Sequence, residues 1–502
     1  MTLPAAGLRS WVRNGNRVRL ALSHGSARIE WVSPSSFRWE RVWSGELRER
    51  APVARESVKF AVRERGEALE FETNDVFLTL SKKGLLASVE TVNRETLMRD
   101  LTEAERRGGR IAWYRVSRPG ARYFGLGPRP EPELDLRGAV RQAVPFLVST
   151  AGYGESHFAQ GGYTFTFEPE RYRIEIEGAE LDYAFHYGPS PTAIYEERLK
   201  ITGLPDLNPP PPAKLPKTAP ATWDSLAAAV RRMAQESLSG MLAQHFTLWP
   251  YRKGAPELFR RAAQAAAVSP WVEGQLSAEA QAIRDRFRFY MQAYTGEVSG
   301  RGLPMLRALP FEFPQDAEAA RYSDQWIFGD DLLVAPVLSP EPERRVYLPA
   351  GNWTRLRSNQ RYPGRQTIAI QAAPDELPLF ARNGSILPLE DSGVVALHYF
   401  PQLAGQCFLY ESDLGDYSQF HAAPAGEYLR LQIESLQARD YEWVVHNVGP
   451  AREGMRGATR LREARPAARL APGSWRYDRE RRNLHARVRV RGGEDCILNF
   501  SF

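Results

Sequence analysis

Four consecutive prolines, Pro209 to Pro212, divide this chain, because neither a helix interior nor a central strand can run through them. They lie in PDLNPPPPAKLPKTAP, residues 205–220, which favours extended polyproline II and predicts a stiff spacer. The two sides of the spacer differ in character. Before it come short alternating runs such as VRLALSH, ARIEWVS, ALEFET, VFLTLS, YTFTFEPE and YRIEIEGAE, which predict a β-sandwich over residues 1–204. After it the pattern is helical. TWDSLAAAVRRMAQESL has Thr222 at an N-cap position and Leu226, Val230, Met233 and Leu238 on one stripe. PELFRRAAQAAAV puts Pro256 in a first turn, and a third helix is predicted over residues 278–294. From about residue 332 short strands return and run to the end.

The predicted fold is therefore mainly β with an α-helical, partly α/β insert. Its segments are 1–204, 205–220, 221–331, a proximal C-terminal β-domain over 332–392 and a distal one over 393–502. A chain of 502 residues is long enough for several cores.

Several function classes drop out on composition. No stretch approaches the ~20 uninterrupted apolar residues of a membrane span. The first residues carry Arg9, Arg13, Arg17 and Arg19 where a secretory leader needs an apolar run, so a cytoplasmic protein is expected. Cys407 and Cys496 are the only cysteines, which predicts neither a disulfide framework nor structural zinc. The eight histidines are scattered, with no HxH or HExxH spacing, so neither a metal nor another cofactor is expected. LYESDLGDY lacks a full calcium-loop pattern. The basic stretch from Arg452 to Arg491 is interleaved with Glu453, Glu463, Asp478 and Glu480, which reads as a solvated sheet surface and not a nucleic-acid groove.

Motifs then point further. RYFGLGPR (Arg122–Arg129), PFLVSTAGYGES (Pro145–Ser156), GAELDYAFHYGPSP (Gly178–Pro191) and LKITGLPDLNP (Leu199–Pro209) occur in that order before the spacer. DQWIFGDDLLVAPV (Asp324–Val337), RVYLPAGNW (Arg345–Trp353), ELPLFARNGSILPL (Glu376–Leu389) and LYESDLGDY (Leu409–Tyr417) follow the helical segment. Together these runs resemble the family-31 glycoside hydrolases, a family that includes α-glucosidases and α-xylosidases. The resemblance implies an N-terminal β-sandwich, a (β/α)8 barrel and two C-terminal β-domains. A complete barrel takes roughly 250 residues, and residues 221–331 offer about half that number. The segment is accordingly expected to be a truncated barrel remnant.

Retaining glycoside hydrolysis needs two carboxyls about 5–5.5 Å apart. The resemblance implies two aspartates, and no run here matches the W-x-D-M-N-E-like stretch of the nucleophile. Aligning on ATWDSL places Trp223 at the tryptophan that follows the acid/base, and Thr218 at the acid/base itself. A threonine hydroxyl cannot serve as a tuned carboxyl does. Likewise ESLSG (Glu236–Gly240) is followed by FTLWPY (Phe246–Tyr251), so the sugar-binding aspartate becomes Thr247, while Trp249 and Pro250 stand where glycines leave space. RAAQAAAVSP (Arg261–Pro270) replaces the next motif, and Gln275 takes the position of its histidine. Among nearby carboxylates, Asp224 and Glu236 fall on an amphipathic helix and Glu257 in a first turn; Glu273, at a predicted strand end, is the best catalytic substitute.

The leading expectation is an inactive homologue that serves as a structural or interaction subunit. Its open barrel edge would be covered by homo-oligomerisation or by another chain. A second reading is oligosaccharide binding by the β-domains, with Trp11, Trp31, Trp39, Trp43 and Trp353 as stacking candidates. A third is hydrolysis of α-O-glycosyl bonds by a relocated or trans-completed site.

Overall fold

The structure is a computed structural model and describes residues 6–141, 144–204, 221–465 and 469–502. The proline spacer and the Thr218 position lie outside the described residues. The fold is mainly β with a small helical insert. Its described residues form two compact units. One comprises 6–204 together with Gln235–Met241 and Arg301–Leu303; the other comprises 221–234, 242–300 and 304–502.

In the first unit an eight-stranded antiparallel sheet starts with the meander Leu8–Asn14, Arg17–Leu22, Ser26–Ser33 and Ser36–Val42. It continues through Glu180–Tyr187, Tyr153–His157, Phe146–Ser149 and Tyr123–Gly125. Two five-stranded sheets accompany it, one a simple meander from Ala61–Arg65 to Thr96–Arg99. Alternation in the sequence becomes alternation in burial: Val76–Ser81 buries Val76, Leu78 and Leu80 and leaves the residues between them half-exposed. Trp31 is fully buried against Phe37, Phe60 and Phe71.

The interior of this unit also holds charge. Arg115 ion-pairs with Glu155 and, over 2.8 Å, with Asp100, and Tyr172 donates to Glu155 over 3.2 Å. Burial pushes the Glu155 carboxyl up, but Arg115 and His157 outweigh it and hold the group at about 2. Helix α1 (Pro191–Thr202) is capped by Ser190, whose hydroxyl accepts from the Ala193 N–H. The detached segment Gln235–Met241 is bonded into the sandwich. Gln235 accepts from the Arg129 N–H, Ser239 accepts from the Gly127 N–H, and the Ser237 carbonyl accepts from the Tyr195 hydroxyl.

Helix α2 (Trp223–Leu238) begins where Thr222 accepts the Ser225 N–H, and it buries Leu226, Val230, Met233 and Leu238 as the stripe predicted. Helix α3 (Pro256–Ala267) opens with its proline in the first turn. The single helix expected over 278–294 is instead two, α4 (Ala278–Arg286) and α5 (Arg288–Arg301). Phe287 interrupts them, with its side chain buried and its N–H shared among the Ile283, Arg284 and Asp285 carbonyls.

Beyond α5 lies a six-stranded sheet containing Leu306–Ala308, Trp326–Phe328, Leu332–Val334, Leu379–Arg382, Asn352–Arg355 and Arg361–Pro363. Gly329 turns the chain with φ +63°, and a Cβ there would lie 2.3 Å from the Tyr294 ring. Two further six-stranded sheets form the last β-domain, and Phe420 from one meets Tyr441 from the other at 5.6 Å between ring centroids.

Candidate functional site

The strands His245–Thr247 and Trp271–Glu273 form a two-stranded parallel sheet, joined through α3. This strand–helix–strand unit is the repeating element of a (β/α) architecture. Register pairs His245 with Trp271, Phe246 with Val272 and Thr247 with Glu273. Period two then assigns the faces. Phe246 is fully buried, so its side of the sheet is the core side. His245, Thr247, Trp271 and Glu273 share the opposite face.

At the C-terminal ends of the strands the Thr247 hydroxyl donates to the Glu273 carboxylate over 3.1 Å. The Leu248 N–H extends the ladder by donating to the Glu273 carbonyl over 2.8 Å. One step back, the His245 and Trp271 rings stack with centroids 6.0 Å apart. Burial lowers the His245 pKa, as does Arg232, which donates to the His245 carbonyl. Trp249, at the start of a short 3₁₀ turn, keeps 52% of its surface in solvent, and Trp271 keeps 41%. Gly274 follows Glu273 with φ +113°, and a Cβ there would press on Leu248 at 3.1 Å.

Thr247 sits on the strand-end face, nearly buried, with Glu273 beside it. Gln275 is exposed in the loop leading to α4. Trp249 projects into solvent instead of filling a packed interior, and Pro250 follows it in the 3₁₀ turn. Asp224 is exposed in the first turn of α2, and Glu257 is tied to Arg260 and Arg261. Glu236 is buried on the last turns of α2, in the other compact unit. Glu273 is thus the one carboxylate, of those singled out, at the parallel strand ends. Arg261 is 3% exposed and donates to the Gln264 side chain and to the Ala373 and Glu376 carbonyls, which is a packing role. Trp31, Trp39, Trp43 and Trp353 are buried, and Trp11 donates to Glu64. Burial closes off stacking on sugars from the first four; Trp11 stays half-exposed.

Sequence reasoning missed Trp271. Its signal was an aromatic two residues before the flagged Glu273, hence on the same strand face. Among the described residues no cluster of three or more His, Cys, Asp or Glu could hold a metal ion, and no helix is long and apolar enough to cross a membrane.

Comparison with known proteins agrees with this anatomy. Residues 302–387 match the glycosyl hydrolase family 31 C-terminal domain. An isomaltosyltransferase of Sporosarcina globispora is 38% identical over 101 residues, 20% of this chain and 9% of that protein. Alpha-glucosidase 2 of Bacillus thermoamyloliquefaciens is 31% identical over 165 residues, 30% of this chain and 20% of that protein. The matches therefore span a fifth or less of these relatives' lengths. In fold, the chain is similar to the family-31 dextranase of Flavobacterium johnsoniae, solved with isomaltotriose: TM-score 0.79, 14% identity, 100% of both chains covered. It is also similar to the cycloalternan-forming enzyme of Listeria monocytogenes, solved with a pentasaccharide substrate: TM-score 0.82, 13% identity, 99% of this chain and 77% of that one. These findings support a relationship to glycosyl hydrolase family 31.

Proposed function

We propose that this chain is a glycoside hydrolase family 31 protein with a reduced barrel, one that does not cleave glycosides and works as a structural or interaction subunit. The observation that carries this reading is the exposed Trp271–Glu273 edge of the parallel pair. There the Glu273 carboxylate is engaged by Thr247, and retaining chemistry needs a second carboxyl about 5–5.5 Å away. Trp249 and Trp271 stand exposed beside it, large apolar surface of the kind that partner chains cover.

The exposed indoles favour a second reading, binding of an α-glucan oligosaccharide without turnover. The Flavobacterium relative in fold was solved with isomaltotriose, which makes that sugar the probe. Light scattering across a concentration series tests the first reading and calorimetry with millimolar isomaltotriose the second. A stable assembly with no heat of binding supports a subunit role; a monomer that binds the sugar supports the second reading. Release of glucose from isomaltotriose or an aryl α-glucoside, lost in Glu273→Gln, would overturn both.

A further inference from the structure

Away from the parallel pair, but within the same compact unit, four side chains form a hydrogen-bonded row. Asp391 ends the strand Ile386–Asp391, His398 lies on Val394–Tyr399, His446 follows Arg439–Val445, and Asn359 belongs to the loop after Asn352–Arg355. Asp391 Oδ2 meets His398 Nε2 at 2.7 Å, His398 Nδ1 meets His446 Nε2 at 2.9 Å, and His446 Nδ1 meets Asn359 Oδ1 at 2.9 Å. The Phe400 ring stacks on His446 at 4.3 Å between centroids.

Asn359 Nδ2 donates to the Arg481 backbone carbonyl over 2.7 Å, and a carbonyl can only accept, so Oδ1 must be the atom that faces His446. His446 Nδ1 must then carry a proton. At the other end the Asp391 carboxylate only accepts, so His398 Nε2 must carry one as well. Two neutral rings have no proton left for the contact between them, and two bare lone pairs would face each other at 2.9 Å. Three contacts need three protons on two imidazoles. When all three contacts are hydrogen bonds at once, one ring is an imidazolium.

We infer that His398 and His446 act as a one-proton latch, which closes on acidification and ties the Asn359 loop to the Asp391 strand end. Loss of that proton costs the ring-to-ring contact and uncouples the two ends of the row, while Asn359 keeps its bonds to Arg481, Asn483 and Asn447. The latch reaches further through Asp391, because Arg286 in the last turn of α4 donates to it over 2.9 Å. The rings border a cavity of about 790 Å³, which gives protons a route.

The charged groups around the rings set the pH at which it acts. Asp391 favours the imidazolium; Arg286 from α4, Arg481 from the loop before Asn483–Val490, and His485 on that strand oppose it. His485 is itself paired with Glu442 over 3.0 Å. Burial is the largest influence and lowers both rings below the usual histidine value, which puts closure on the acid side of neutrality.

Ring ¹⁵N shifts of the full chain labelled on histidine, recorded between about pH 4 and 8, test the latch. Three ring N–H protons on the two imidazoles at acid pH and two at the upper end are expected. Asp391→Asn is expected to lower the midpoint by about one pH unit, and Asn359→Asp to raise it by a similar amount. Opposite shifts distinguish a shared proton from simple packing. Two ring protons throughout the range, or a midpoint that neither substitution moves, would overturn the inference. The wild-type titration decides alone if a variant does not fold.

Discussion

Thr247 and Glu273 face each other in register across two parallel strands, and the threonine hydroxyl donates to the carboxylate over 3.1 Å. The contact ties two strand ends of a strand–helix–strand unit with a neutral donor. Because Glu273 is exposed, Thr247→Val and Glu273→Gln should each shift stability by no more than about 1 kcal/mol. On the proposed reading, aryl α-glucoside hydrolysis should stay at background in wild type and in Glu273→Gln alike. Thermal melts and a chromogenic assay on the three proteins check both points.

Arg261 offers a stronger perturbation. Arg261→Met leaves the Ala373 and Glu376 carbonyls without their buried donor and frees Glu257 from one of its two arginines. Hydrogen bonds from a charged donor are the stronger ones, so a loss of about 3 kcal/mol is expected. Urea denaturation should show a lower midpoint with an unchanged slope.

The Arg115–Glu155 pair makes a pH prediction. Glu155 titrates near 2 in the fold and near 4.5 unfolded, so the unfolded chain binds more protons between those values. Its stabilising contribution is complete above about pH 4.5 and disappears as pH falls toward 2. Arg115→Met should cost about 3–5 kcal/mol at neutral pH, because it strands a buried carboxylate. That difference should shrink on acidification, read from denaturation midpoints at several pH values.

Asp331 should behave in the opposite sense. Burial raises its carboxyl to about 7 although Arg382 opposes the shift, while the unfolded value is 3.8. The folded chain therefore holds a proton that the unfolded chain has released, and stability declines as pH rises from about 4 to 7. With 23% of the side chain in solvent, screening reduces the effect to about 2 kcal/mol. Asp331→Asn should remove that slope.

Much of this was legible in the residues. The α2 stripe and the Pro256 start were read directly, because local periodicity and capping determine them. The break at Phe287 was not, since the sequence on both sides is a good helix former and the interruption comes from burying one aromatic. Thr247 and Glu273 were each singled out, yet their pairing required a parallel register between residues 26 apart. Four of the five tryptophans proposed for sugar stacking point inward and are buried, and Trp11 alone stays half-exposed. The His398–His446 row carries no spacing signal, because its members come from two strands and two loops.

The segment Gln235–Met241 has a consequence for how the chain can be divided. It completes the N-terminal sandwich by accepting the Arg129 and Gly127 N–H groups and the Tyr195 hydroxyl, although the proline run separates it from them in sequence. A cut at the prolines would therefore orphan donors in the first piece and expose the end of α2 in the second. The prolines mark where the sequence changes texture, but the N-terminal unit of this architecture reaches past them to Met241. Recombination that shuffles the sandwich as a module must carry the following helix with it.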